Sequence, residues 1–396
     1  MQVILFDTAV RNSLLPFTHT RPVADIRCGI LTMRERWERF LNQPSSTLTV
    51  PYLQTVFPNQ ASTDNLYING AVFANPSIAD AVLKLNNGGV LAKGNLVIGY
   101  RTDKQSDSID ALPQAGNVQY DGDAYALQNV WDIFANNGNA ILGDYKLLTY
   151  NKQSQPIPEH VTVTGRENLF IEEGAIINAG CIINASTGPV YIAKGSEILE
   201  GCMLRGPIAI GENAVVKMGA KIYSDTTIGA GCKVGGEVSN VVFFANSNKG
   251  HDGYLGNAVI GEWCNLGADT NCSNLKNNYD EIKIWDEHSN KSVKTGLTFC
   301  GLLMGDHSKC AINTMFNTGT VVGVSANIFG AGFPEKFVPS YCWGGSEGMT
   351  TYSFDRAMET ATRMMARRSR MITDAERDMY RYIFDNTTAQ RDLFAK

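Results

Sequence analysis

Eight aliphatic residues recur at every sixth position between Ile192 and Val234: Ile192, Ile198, Leu204, Ile210, Val216, Ile222, Ile228 and Val234. That spacing fits neither the 3.6-residue period of a helix nor the alternation of a half-buried strand. A six-residue repeat is the pattern of a parallel β-helix, in which each unit forms one flat side of a coil. Three sides close one turn of roughly eighteen residues, and the inward aliphatics stack into a continuous apolar column. Gly211 and Gly229 each follow such an aliphatic, where a corner favours a residue tolerant of positive φ.

The period extends beyond this run. Ile171, Ile177 and Ile183 precede it with a phase shift, Ile260, Leu266 and Cys272 resume it, and Met304, Cys310, Phe316, Val322 and Ile328 form a third run. Two interruptions separate the runs, around 239–258 and 274–300. Insertions in a solenoid are expected to leave the coil as corner loops, where function tends to sit.

At 396 residues the chain exceeds one ordinary domain, and 44% apolar residues supply a sizeable core. A net charge of −5 without a long basic run argues against nucleic acid as a partner. The apolar stretches are too broken for a transmembrane helix, and the opening MQVILFDTAV reads as a strand, not a signal peptide. Nine scattered cysteines without a CxxC pair fit free thiols packed as small hydrophobes, which places the chain in a reducing cytoplasm.

Ahead of the repeats, QVILF (2–6), LYINGAVF (66–73) and GVLAKGNLVIGY (89–100) read as strands. ADIRCGILTMRERWERFL (24–41) has helical spacing and reads as a helix beginning near Asp25, and SIADAVLKL (77–85) and NGNAILGDYKLLT (137–149) read as further helices. Strands alternating with helices suggest an α/β unit. The expected organisation is an α/β domain over 1–150, a linker over 151–160 carrying Pro156 and Pro158, the β-helix over 161–345, and a charged helical segment over 346–396. Arg363, Arg367, Arg368 and Arg370 form a basic cluster in that last segment, expected as a solvated helix face, with coenzyme A phosphates as the alternative reading.

The stretch KGHDGYLGNAVIGEWCNLGADTNCSN (249–274) resembles, without a gap from His251 to Asn274, the active-site stretch of the bifunctional UDP-N-acetylglucosamine pyrophosphorylase/glucosamine-1-phosphate acetyltransferase family. The chain looks most like its divergent bacterial branch. The resemblance implies a nucleotidyltransferase-like α/β domain followed by a left-handed parallel β-helix. It also implies acetyl-CoA as co-substrate, an amino-sugar phosphate as acceptor, and a homotrimer with three intersubunit sites. Acetyl transfer to an amine needs a base, a held nucleophile and donors for the oxyanion. By resemblance His251 is the base, a role an imidazole suits near neutrality. Tyr254 and Lys217 match positions that contact the sugar phosphate, with lysine in place of the family's arginine and hence without its bidentate fork. Asn265 matches a sugar-contacting asparagine and Asn274 one near the amine. Ala268, Ala311 and Ile312 correspond to the groove of the pantetheine arm. Lys249 is a weaker phosphate candidate.

In the first domain Arg11, Leu14-Leu15-Pro16-Phe17-Thr18 and Arg21-Pro22 resemble part of the nucleotidyltransferase phosphate-binding run. The Gly-rich loop is replaced by Phe6-Asp7-Thr8-Ala9-Val10, which approaches phosphate less readily. At the position of the metal-holding aspartate the chain offers Asn69 or Ala71. Mg²⁺, with UTP or dTTP as nucleotide, is therefore expected only if this domain turns over. Three readings follow: an acetyltransferase, with or without nucleotidyl transfer; a sugar-1-phosphate nucleotidyltransferase that uses the β-helix for oligomerisation; and a non-catalytic trimeric scaffold or sugar-nucleotide sensor.

Overall fold

The computed structural model describes residues 1–394. Strands β1 (Gln2–Phe6), β2 (Ser45–Leu48), β3 (Asn65–Asn69), β4 (Val90–Lys93), β5 (Leu96–Thr102) and β6 (Val118–Gln119) form one mixed sheet in the order β2-β1-β3-β5-β4-β6. β1 lies parallel to both β2 and β3, whereas β5 is antiparallel to β3 and β4. Two expectations change here. The single strand expected over 89–100 is a hairpin turning at Gly94, whose φ of 56° supplies the reversal. The helix expected from near Asp25 begins only at Met33, where Thr32 and Glu35 form a reciprocal capping box. The residues before it run irregularly because Gly29 (φ 95°) fits under the helix Asn137–Thr149, and Asp144 of that helix accepts from Leu31 N at 3.0 Å.

From Thr162 to Gly345 the chain winds into a parallel solenoid. One side stacks Ile176–Ile177, Glu197–Ile198, Val215–Val216, Lys233–Val234, Asn248–Lys249, Asn265–Leu266, Lys309–Cys310 and Asn327–Ile328, neighbour on neighbour. All eight hexad aliphatics are buried, each worth roughly 1.5–3 kcal/mol against exposure. A left-handed corner recurs along the coil at Asn213, Asn246, Trp263, His307, Ser325 and Tyr341, with φ between 55° and 60°. Asn tolerates that conformation; at Trp263 it costs on the order of 1–3 kcal/mol.

The two interruptions differ. The stretch 239–258 stays in the coil: Glu237–Phe243 and Tyr254–Ile260 are seven-residue parallel strands that run through a corner at Asn240 and Asn257. The hexad phase is lost because Val234 pairs with Lys249, fifteen residues on, in a shortened turn. The second interruption does leave the coil, as the hairpin Lys283–Asp286/Lys291–Lys294. It packs Ile282 and Ile284 against the N-terminal domain, and Glu287 meets His19 at 3.0 Å. The hairpin is thus a strut between domains.

The N-terminal domain and solenoid share one apolar core, in which Phe17, Val130 and Ile133 join Val242, Phe244 and Leu303. Beyond the coil, the helices Phe354–Ala366 and Asp374–Asn386 pack on Val324 and Tyr341, followed by the helix Thr388–Phe394. All nine cysteines are free and buried. Among the described residues no helix is long and apolar enough to cross a membrane.

Candidate functional site

A cleft of about 680 Å³ runs along the solenoid side carrying Lys233–Val234, Asn248–Lys249 and Asn265–Leu266. Because side chains alternate across each strand, Lys233, Asn248 and Asn265 face outward while Val234, Lys249 and Leu266 face in. The cleft brings together five residues that the sequence singles out: Lys217, His251, Asn265, Ala268 and Ile312. His251 is exposed on a tight turn, where Gly253 (φ 107°) has no room for a Cβ against the Thr270 carbonyl.

Lys249 is placed differently from its reading as a phosphate contact. It fills an inward position of the apolar column, only 1% exposed. Its Nζ donates to the carbonyls of Gly235, His251 and Asp252 at 3.2, 2.9 and 3.2 Å. All three ammonium protons are used from inside the coil, so the residue ties down the His251 turn. Burial lowers its pKa to about 8.

Tyr254 and Asn274 are not in the cleft lining. Asn274 Nδ2 donates to Tyr254 Oη at 3.0 Å and to Asn257 Oδ1 at 2.8 Å, forming a separate cluster. Burial raises the Tyr254 pKa, keeping the phenol protonated. Ala311 lies behind the cleft floor, its backbone against Gly267.

Four further charged or aromatic residues line the cleft. Lys233 and Trp263 carry no local motif. Arg367, exposed, and Arg368, half-buried, belong to the basic cluster read as a solvated face or a coenzyme A contact, and both border the cleft. The other two arginines of that cluster do face solvent, paired with Glu359 and Glu376. No carboxylate is among the lining residues, so the cleft has the electrostatic character of an anion site.

A second cleft, about 770 Å³, lies beyond the carboxyl ends of β1 and β3, the place where open α/β sheets receive ligands. Arg11 lines it beside Thr8, Asn69, Asn95, Gln114 and Gln128. Its guanidinium is largely committed: Nη2 donates to the Thr18 carbonyl at 2.9 Å and Tyr52 Oη at 3.1 Å, and Nε lies 3.6 Å from Asp7. Arg21 is not there. It is buried at the seam between domains, hydrogen-bonded to Asp306 and stacked 5.0 Å from the Phe244 ring, while Thr20 donates to the same carboxylate at 2.8 Å. Of the two arginines that resemble the phosphate-binding run, Arg11 borders this cleft and Arg21 lies outside it.

The donor set in this cleft does not fit Mg²⁺. Asn69 has its amide bound to the Val97 carbonyl and its oxygen to Ala71 N, and Asp7 accepts from Thr49 and Val23. That leaves Asp110 as the only lining carboxylate, where Mg²⁺ wants several hard oxygens in octahedral array. Among the described residues no group of three His, Cys, Asp or Glu is placed to hold a metal.

Residues 3–153 match the family described as sugar nucleotidyl transferase. The "Bifunctional sugar-1-phosphate nucleotidylyltransferase/acetyltransferase" of Sulfurisphaera tokodaii is 26% identical over 54% of this chain and 46% of its own length. The "Bifunctional protein GlmU" of Methanococcus maripaludis strain S2 is 26% identical over 68% and 60%. The chain is similar to these bifunctional proteins over part of its length. It spans about half the length of the curated relatives it matches. Among solved structures, the polySia-specific acetyltransferase NeuO aligns with 53% of this chain and 96% of its own, at 14% identity and a TM-score of 0.31.

Proposed function

We propose that the solenoid cleft transfers an acetyl group from acetyl-CoA to the amine of glucosamine-1-phosphate or a related amino-sugar phosphate. The observation carrying this reading is the meeting of exposed His251 with Lys217, Asn265 and Ala268 in one cation-lined cleft. The amine nitrogen attacks the thioester carbon, His251 takes the nitrogen's proton, the C–S bond breaks, and the coenzyme A thiolate leaves and is reprotonated. Lys217 faces the phosphate and Asn265 the sugar hydroxyls. Tyr254 and Asn274 act on this site only if a neighbouring copy brings them to it, which fits the homotrimer implied by the sequence. Exposed Ile176, Ile182, Met203 and Met218 along the solenoid are apolar surface suited to such contacts.

Purified protein is expected to release coenzyme A thiol in a glucosamine-1-phosphate-dependent reaction, with His251→Ala folded but slower by about 10²–10⁴. Retained turnover in the variant removes His251 from the mechanism. A second reading, nucleotidyl transfer, is favoured by the family match over 3–153 and by the cleft beyond β1 and β3. It requires Mg²⁺-dependent pyrophosphate release from UTP or dTTP, abolished by Arg11→Ala; the metal donors described above argue against it.

A further inference from the structure

The cleft holds more positive charge than a sugar phosphate needs, and the charge is spread along its length. Lys217 sits at one end, its Cβ 3.0 Å from where a Cβ on Gly235 would lie. Arg368 sits at the other, its Nη1 2.8 Å from the corresponding point on Gly231. These two glycines bound the same coil side, four residues apart, which is roughly 13 Å of extended chain. Lys233 lies between them. Among the described residues no side-chain hydrogen bond or ion pair ties down Arg367, Arg368, Lys233 or Lys217, whereas Arg363, Arg370, Arg377 and Arg381 all reach carboxylates. A helix C-terminus favours cations on its own account, but a charge placed for that purpose has no need to face the coil. The helix Phe354–Ala366 is fixed by buried Met358, Ala361 and Met365, and Arg367 and Arg368 stand at its C-cap and in the turn that follows. Asn246, Asn248 and Trp263 complete that end of the cleft.

From this arrangement we infer that Arg367 and Arg368, in the turn after the helix Phe354–Ala366, and Lys233 of the coil form a phosphate subsite for the nucleotide portion of the acyl donor. A ligand with a diphosphate and a further phosphate along its length matches cations strung along a groove; a phosphomonoester matches only one end. The subsite rests on the acetyl-transfer reading for its ligand. It deepens that reading by adding two arginines from outside the repeats to donor recognition.

The test compares acetyl-CoA with S-acetylpantetheine, which keeps the thioester and lacks the nucleotide, in the native protein and in Arg367→Met/Arg368→Met. The substitution removes charge from side chains that hold no partner, so folding is expected to be unchanged. KM for acetyl-CoA should rise roughly tenfold or more, the size of one charge-assisted contact, while kcat/KM for S-acetylpantetheine and KM for glucosamine-1-phosphate stay the same. Equal effects on both thioesters, or no effect on either, overturn the subsite; a rise in KM for the sugar phosphate alone reassigns the arginines to the acceptor and overturns it too. Calorimetric titration with free coenzyme A separates the two levels of inference. Binding that the double variant loses upholds the subsite even if no acetyl transfer is found, and no binding by the native protein refutes it.

Discussion

Lys249 offers a pH-resolved test of how the solenoid holds its reactive turn. It replaces an aliphatic in the inward column and is held near 8 against an ordinary 10.5, chiefly by burial, with Asp252 and Asp269 pulling the other way. One pH interval is worth about 1.36 kcal/mol, so keeping this ammonium charged costs the folded state ~3 kcal/mol at neutral pH. The unfolded chain binds the proton more tightly, so between pH 8 and 10.5 stability contributed by this group rises with pH. Lys249→Met keeps a similar volume and removes the charge. Its lost hydrogen bonds to three carbonyls add a nearly constant offset, leaving the pH dependence as the signature. The stability of the variant minus that of the native protein should therefore fall by about 2–3 kcal/mol from pH 7 to pH 10. Urea unfolding of both proteins, followed by far-UV circular dichroism at intervals across that range, measures it directly, because other titrations cancel in the difference. Parallel curves for the two proteins would show that the lysine is not desolvated and refute the inward assignment. Release of the His251 turn should also lower the rate of acetyl transfer in the variant.

Asp306→Asn strips the charge from the carboxylate that receives Arg21 and Thr20 at the domain seam; a loss of about 3–5 kcal/mol is expected, and an unchanged urea midpoint would mean the seam is solvated. Gly229→Ala sets a Cβ 1.6 Å from the Phe244 carbonyl oxygen; soluble yield should collapse, whereas Gly88→Ala, with open space around it, should keep the yield and cost far less despite its φ of 83°. All nine thiols are buried and unpaired, so a disulfide reagent should react slowly with the native protein and titrate all nine in guanidinium, and rapid reaction under native conditions would contradict the packing.

The hexad register was legible because a solenoid writes its tertiary contacts locally: residues six apart in sequence lie on successive sides, so the apolar column shows as a period. His251, Asn265 and Ala268 were singled out by the resemblance over 249–274, and the fixed register of adjacent turns sets them along one cleft. The helix Asn137–Thr149 was legible from its own local sequence, whereas the start at Met33 depended on Gly29 meeting a helix more than a hundred residues away. Lys249 could not be recognised as an inward residue, because the shortened turn that aligns it with Val234 leaves no period to read. Arg21 and the arginines at 367–368 likewise carry no sequence mark of their destination. Arg21 goes to the seam because the buried Asp306 carboxylate there leaves it a partner, and the last two reach the cleft because the C-terminal helix packs on the coil. Repeat geometry is a property of neighbouring residues and is present in the sequence. The meeting of separate elements depends on which apolar faces bury each other, and only the folded chain decides it.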